Sequence, residues 1–536
     1  MVFKFMKKIF ILVLFIISLA KTNAQVNLEW TRVYDNGFKD VAMGMVVTKN
    51  GDIYTTGESF FLVRYKDWLT LKYNSSGTFQ WSQRFDGLSD DTPQAIALDS
   101  AGNIYVTGMG DNQMMTIKYT SSGNRVWIDQ GAFPGGSGAS AISAYKSECV
   151  FVAGWSKDTG QYCYSTIVKY DSSGLRRWTQ RYNEELSPYY INQFSAVSTD
   201  ELGNSYATGT SYHSDLYEEF ITRKYDINGD SIWTGKYNST SIGWDFSKAI
   251  TVDKKGNAIV SGINTDNVVT LKYDSSGHQK WVQFFPSDRI DDLPQIVSDD
   301  SGNVYVTCTG SSAAAGTNIV TVKYSPDGIQ RWIRSFDGGL NLNDYAYAIC
   351  IDESGAVYVT GSTWSNVTAA GIVTIKYSSS GNQLWEQRFP GTGSISYYPV
   401  SIGIDSSSNI YVFSRALTIS SGDYVIIKYS QTVDVNSESE EFPETFMLMQ
   451  NYPNPFNPGT SIRYQISKPS LVTLTVYDIT GSKIRVLVNE KKPAGNYEIK
   501  FKAIDESGNE LPSGVYFYRL ETDNEMIATK RMLFVK

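Results

Sequence analysis

One unit recurs through residues 30–429, and this recurrence limits the fold more than any other feature of the chain. The clearest copy is AIALDSAGNIYVTG (95–108) followed by MMTIKYTSSGNRVW (114–127). It returns as AICIDESGAVYVTG (348–361) followed by IVTIKYSSSGNQLW (372–385). Trp30, Trp81, Trp127, Trp178, Trp233, Trp281, Trp332 and Trp385 mark the copies, at spacings of 46 to 55 residues. A period of this size points to a solenoid, a propeller or an array.

Each unit reads as four short strands. Strand a (AIALD) turns through D-x-x-G-N into strand b (NIYVTG). A variable loop leads to strand c (MTIKY), and an SSG-type turn leads to strand d, which carries the Trp. The glycines supply the positive φ of tight turns. Four antiparallel strands per unit match a propeller blade. Eight a-b-c sets end at Tyr73, Tyr119, Tyr170, Tyr225, Tyr273, Tyr324, Tyr377 and Tyr429. The first Trp-bearing strand, LEWTRVY (28–34), precedes every a strand, and no Trp follows the last set. The expected fold is therefore all-β: an eight-bladed β-propeller over residues 25–429, with its N-terminal strand completing the final blade. These repeats resemble the bacterial beta-propeller repeat family, with its D-x-x-G-N-x-Y-V-T-G core. That resemblance implies architecture and no activity, because a propeller hosts many functions.

Strand alternation places the a–b and c–d turns on one face, where they are short and uniform. The b–c and d–a loops share the other face and vary, which is where a rigid scaffold usually carries binding residues. Aromatics gather there: Tyr212, His213 and Tyr217 in one loop, Tyr189 and Tyr190 in another, then Trp364, Tyr397 and Tyr398, with Trp155 and Trp244 in equivalent loops. Such side chains either contact a glycan or protein ligand or pack between blades. Just before each a strand stand Asp40, Asp91, Ser137, Asn192, Asp245, Asp291, Asp344 and Tyr397. The acidic members read either as a ring at the channel mouth that attracts a cation or as caps that fix strand entry.

Catalytic signals are sparse. The only histidines are His213 and His278, and no G-x-S-x-G, H-E-x-x-H or C-x-x-C occurs. DINGD (226–230) lacks the remaining ligands of a calcium loop and reads as a hairpin turn. No catalytic residue, metal or cofactor is expected. A paired-carboxylate polysaccharide hydrolase or lyase stays open as an alternative, as does a structural surface-layer component. Cys149, Cys163, Cys308 and Cys350 are expected as buried free thiols. Cys149 and Cys163 fall at opposite ends of one hairpin, too far apart to bridge.

The termini differ in kind. Lys4, Lys7 and Lys8 precede an apolar run at 9–20 and a small-residue stretch ending at Ala24. This is the pattern of an export signal over residues 1–24. Residues 430–445 carry five acids and no base and read as an acidic linker. From 25 to 445 the chain holds 46 acids against 31 bases, which argues against nucleic acid as a partner. Regular β pattern resumes over 446–536 and suggests a small immunoglobulin-like sandwich. NYPNPFNPGTSIRY, LTVYDITGSKIRVL, PAGNYEIKF, LPSGVYFYRLE and a terminal KRMLFVK resemble, in order, the type A C-terminal sorting domain of the type IX secretion system. That resemblance implies a Bacteroidota-like source, passage through the periplasm, handling by the secretion machinery, and release or attachment to surface lipopolysaccharide.

Overall fold

A computed structural model describes residues 26–536 apart from 61–64, 88, 185–191, 213–217, 240–243, 287–293, 312–315, 340–341, 365–368, 419–420, 432–445, 452, 467–469, 493–494 and 524–526. The expected export signal and nearly all of the expected linker lie outside the described residues. Contacts divide the chain into two compact units, one up to Val433 and one from Asp434.

Among the described residues the first unit consists of eight four-stranded antiparallel sheets. Blade 1 is typical, with strands Asp40–Val47, Ile53–Phe60, Lys66–Tyr73 and Phe79–Phe85 in that spatial order. The first strands of consecutive blades touch one another in a complete circle, the eighth against the first, so they form the inner wall of a closed ring. The N-terminal strand Val26–Tyr34 lies antiparallel to Gly422–Gln431 and completes the eighth blade. Strands some four hundred positions apart in sequence thus share one sheet, in the register Val26 to Gln431 through Tyr34 to Tyr424. That last strand runs two residues beyond the expected end at Tyr429.

The repeat motif can be read as a set of bonds. Asp99 Oδ1 accepts the backbone N–H groups of Ala101 and Asn103, both at 2.9 Å, and Oδ2 accepts Asn103 Nδ2 at 2.8 Å and the Tyr105 hydroxyl at 3.1 Å. Asp200 and Asp405 repeat the set. One carboxylate therefore closes the turn and anchors the next strand, which is why Asp, Asn and Tyr recur together. The final Gly of V-T-G has a different cause. Among the described residues seven inner strands carry a β-bulge at one position, for example between Pro93 and Ala95. The bulge brings backbone so close that a Cβ on Gly108 would lie 2.1 Å from the Thr92 carbonyl oxygen.

Blades are joined by their outer strands. The Trp81 indole N–H donates to the carbonyl of Ser121 in the next blade's c–d turn at 3.2 Å, and Lys72 Nζ donates to the same oxygen at 3.1 Å. The Trp–Lys–carbonyl arrangement recurs with Trp127, Trp178, Trp233, Trp281 and Trp332, and Trp30 makes it across the seam to Ser75. The turn glycine lies under the indole. Gly123 has φ +89°, and a Cβ there would meet the Trp81 ring at 2.8 Å. A repeated Trp thus secures one blade to the next, adding ring burial to hydrogen bonds worth about 1 kcal/mol each.

The third blade departs from this chemistry in concert. Tyr145, Cys149 and Phe151 stand where other blades have Asp, Asn and Tyr, and they join one apolar cluster with Ile167, Phe194 and Tyr225. All four cysteines are free, as expected; three are buried, but Cys350 is partly exposed.

The second unit comprises a three-stranded sheet (Met447–Leu448, Gly459–Ile466, Gly495–Lys502) and a four-stranded sheet (Lys483–Lys492, Ser470–Tyr477, Gly514–Thr522, Ile527–Phe534). Its core includes Ile462, Val472, Leu474, Tyr518, Leu520 and Met532. The N-P-F segment is structural: Phe456 packs between Phe501 and Phe534, and Asn454 Oδ1 accepts the Leu533 N–H at 2.8 Å.

Candidate ligand-binding face

The b–c and d–a loops open at one end of the ring, and the ends of the strands fix what they present. Tyr212 closes Ser205–Tyr212, and its backbone N–H donates to Asn192 Oδ1 at 2.9 Å. Its hydroxyl, half-buried beside Glu218, is pushed up to about 12. Glu218 opens the following strand, and burial holds its carboxyl at about 7 although Tyr212 donates to it. Beside them Lys236 bridges Glu184 and Glu219. Across the ring Lys66 pairs with Glu58 at 3.2 Å, and Arg84 pairs with Asp67. This end is thus rich in carboxylates, many already matched to a cation.

The aromatics differ in what they offer. Trp244 is 56% exposed, with Phe246 6.5 Å away. Trp364 follows Val357–Thr363 and is partly exposed. Trp155 is also partly exposed and lies over Gly138, where a Cβ would come within 2.8 Å of its indole nitrogen. Tyr397 instead packs edge-on against Phe389, ring centres 5.1 Å apart, within the cluster between the seventh and eighth blades. Tyr398 lies beneath the Arg415 guanidinium. His213, Tyr217, Tyr189 and Tyr190 lie outside the described residues.

The aspartates at strand entry are enclosed: Asp40, Asp91 and Asp245 are 0% exposed, and Asn192 and Asp344 are 1%. Asp91 accepts N–H groups from Gly87 at 2.7 Å and Asp111 at 3.0 Å, Asp245 from Ser239 at 2.7 Å, and Asp344 from Gly338 at 2.5 Å. Each side chain thereby ties a variable loop to its blade. Asp40 differs. Neither of its oxygens reaches a well-formed hydrogen bond, although Ser59 and the Asn36 backbone lie nearby, and burial raises it to about 6. Asp291 lies outside the described residues. Among the described residues no three His, Cys, Asp or Glu side chains converge as metal ligands.

The pairing of Glu218 with Tyr212, the isolation of Asp40 and the Gly138 seat under Trp155 have no signature in the sequence, because each joins residues from different strands. Two open clefts lie at the opposite, uniform end: one of 510 Å³ beside Asp299, Lys323 and Asp352, and one of 340 Å³ beside Lys169, Arg177 and Trp178.

The beta-propeller repeat family model matches residues 80–113, and the secretion system C-terminal sorting domain model matches residues 450–535. An uncharacterised WD repeat-containing protein of Acanthamoeba polyphaga mimivirus is 28% identical over 196 residues, which is 36% of this chain. The match spans only 11% of that relative's length. Among solved structures, a Lactobacillus plantarum protein is similar with TM-score 0.38 and 12% identity, over 75% of this chain and 99% of its own. The β-propeller domain of the trilobed protease from Pyrococcus furiosus is similar with TM-score 0.37 and 9% identity, over 65% and 98%. The chain therefore carries beta-propeller repeats, ends in a type IX secretion C-terminal sorting domain, and is exported to the cell surface or the extracellular space.

Proposed function

We propose that the ring is a binding module whose ligand is contacted by the b–c and d–a loops. The observation that carries this reading is an asymmetry between the two ends. At the uniform end the c–d turns are engaged by the Trp and Lys of the neighbouring blade. At the variable end the inner-strand side chains hold the loop bases, and Trp244 stands out into solvent. Aromatic rings among charged and hydroxyl groups suit a glycan or a surface protein.

The test uses the mature full chain on a glycan array and on outer-surface extracts, with Trp244→Ala and Trp364→Ala as variants. Binding that falls at least tenfold in either variant, with the unfolding midpoint unchanged, is the expected result. Binding unaffected by both variants, or turnover of a polysaccharide substrate in place of retention, would overturn it.

A further inference from the structure

The ring's repeating contact has one break. Seven of the eight Trp indoles, Trp30 among them, donate to a backbone carbonyl in the c–d turn of the next blade. Trp385, in the seventh blade, has no such turn ahead of it, because the eighth blade takes its outer strand from the N-terminus and the chain leaves after Gly422–Gln431. At that point the side chain of Gln431, 9% exposed, occupies the place of the missing carbonyl. Its Oε1 accepts the Trp385 indole N–H at 3.2 Å and Lys376 Nζ at 3.0 Å, the same two donors that share a turn carbonyl elsewhere. Its Nε2 donates to the Tyr358 hydroxyl at 2.9 Å and to the Ser408 carbonyl at 2.8 Å.

We propose that Gln431 is the clasp of the ring: one amide that replaces a whole turn and locks the seventh blade to the eighth. Of the side chains with an oxygen acceptor, only an amide also supplies the N–H donors used here. A carboxylate at this position would meet the Tyr358 hydroxyl and the Ser408 carbonyl without those donors. Gln431 also pairs with Val26 across the seam, so one residue holds the last blade to the first-made strand as well as to the blade before it. Closure then depends on a residue that is translated after every other residue of the eight blades. A ring that ended at Tyr429 would contain all eight blades and lack its lock.

The test compares Gln431→Ala, Gln431→Glu and the surface control Gln383→Ala in the full mature chain, by thermal unfolding and amide hydrogen exchange. Gln431→Ala leaves a buried indole N–H and an ammonium without their acceptor. Its midpoint is expected to fall by at least ~3 °C. Exchange is expected to speed up by about tenfold in Val26–Tyr34 and in the seventh blade's Gly371–Tyr377, and not in the third or fourth blade. Gln431→Glu, which keeps the acceptor, is expected to fall between Gln431→Ala and the control. Overturning results are a Gln431→Ala midpoint equal to that of Gln383→Ala, or faster exchange spread evenly around the ring.

Discussion

The two ends of the propeller are built from the same strands and solve the same problem differently. At the uniform end seven of the eight blades grip a backbone carbonyl of the next blade with a Trp and a Lys, as Trp81 and Lys72 do. A carbonyl is present whatever side chain stands there, so Ser121, Ile227 and Pro326 all serve as acceptors. The cost is rigidity: the turn must keep its length, and its glycine must fit under an indole. At the variable end the roles reverse. A side chain at strand entry grips the backbone of a loop, as Asp245 does with Ser239, and the rest of that loop is left to vary. Uniform turns therefore mark where blades are joined, and variable loops mark where the chain can change without loosening the ring.

Four experiments would break or sharpen this contrast. The largest effect is expected from Trp332→Ala, which removes a 7%-exposed ring and its bond to Ser379. The expected loss is ~3–5 kcal/mol in denaturant unfolding, and a loss below ~1 kcal/mol would show that the outer-strand Trp does not join blades. Next is a matched glycine pair. Gly328, φ +80°, would place a Cβ 2.6 Å from the Trp281 ring, whereas Gly339, φ +94°, meets nothing within 4 Å on the variable side. Both alanine variants suffer backbone strain of ~1 kcal/mol, and Gly328→Ala should cost about 1–3 kcal/mol more through overpacking. Equal costs would erase the contrast.

A smaller effect concerns pH. Burial raises Asp40 to about 6, above the ordinary ~3.9 of an unfolded aspartate. The folded chain then holds the proton more tightly. Its contribution is fully present below about 4 and is lost as the pH rises through 6. Asp40→Asn is expected to raise the unfolding midpoint at pH 7 and to flatten its dependence between pH 4 and 7, by no more than ~2 kcal/mol. An unchanged pH profile would mean that Asp40 finds a partner in solution. The smallest effect on stability is expected for Trp244→Ala, within ~0.5 kcal/mol because the ring is exposed. A larger loss would show that this aromatic supports its loop instead of waiting for a ligand.

Much of the fold was legible because repetition multiplies a weak signal. A single D-x-x-G-N-x-Y reads as a turn; copies at a regular spacing give the blade, and the stray LEWTRVY gives the closure. The candidate site was less legible. The entry aspartates could be aligned, but whether Asp91 opens to the channel or caps Gly87 depends on how a loop folds back. Tyr397 and Trp244 look alike in sequence; one packs on Phe389 and the other stands in solvent. At Tyr145, Cys149 and Phe151 only the packing shows that an apolar cluster replaces the polar turn.

The sequence by itself determined the number of blades, the chain end that closes the ring and the destination of the protein. Each of these rests on local patterns that repeat or on a contiguous motif. Only the tertiary structure decided what holds the blades together and what seals the last one. Trp81 reaches Ser121 forty residues away, and Gln431 takes over a turn's work for Trp385. Contacts between residues so far apart leave no local pattern, because each partner's own neighbours fold the same way with or without them.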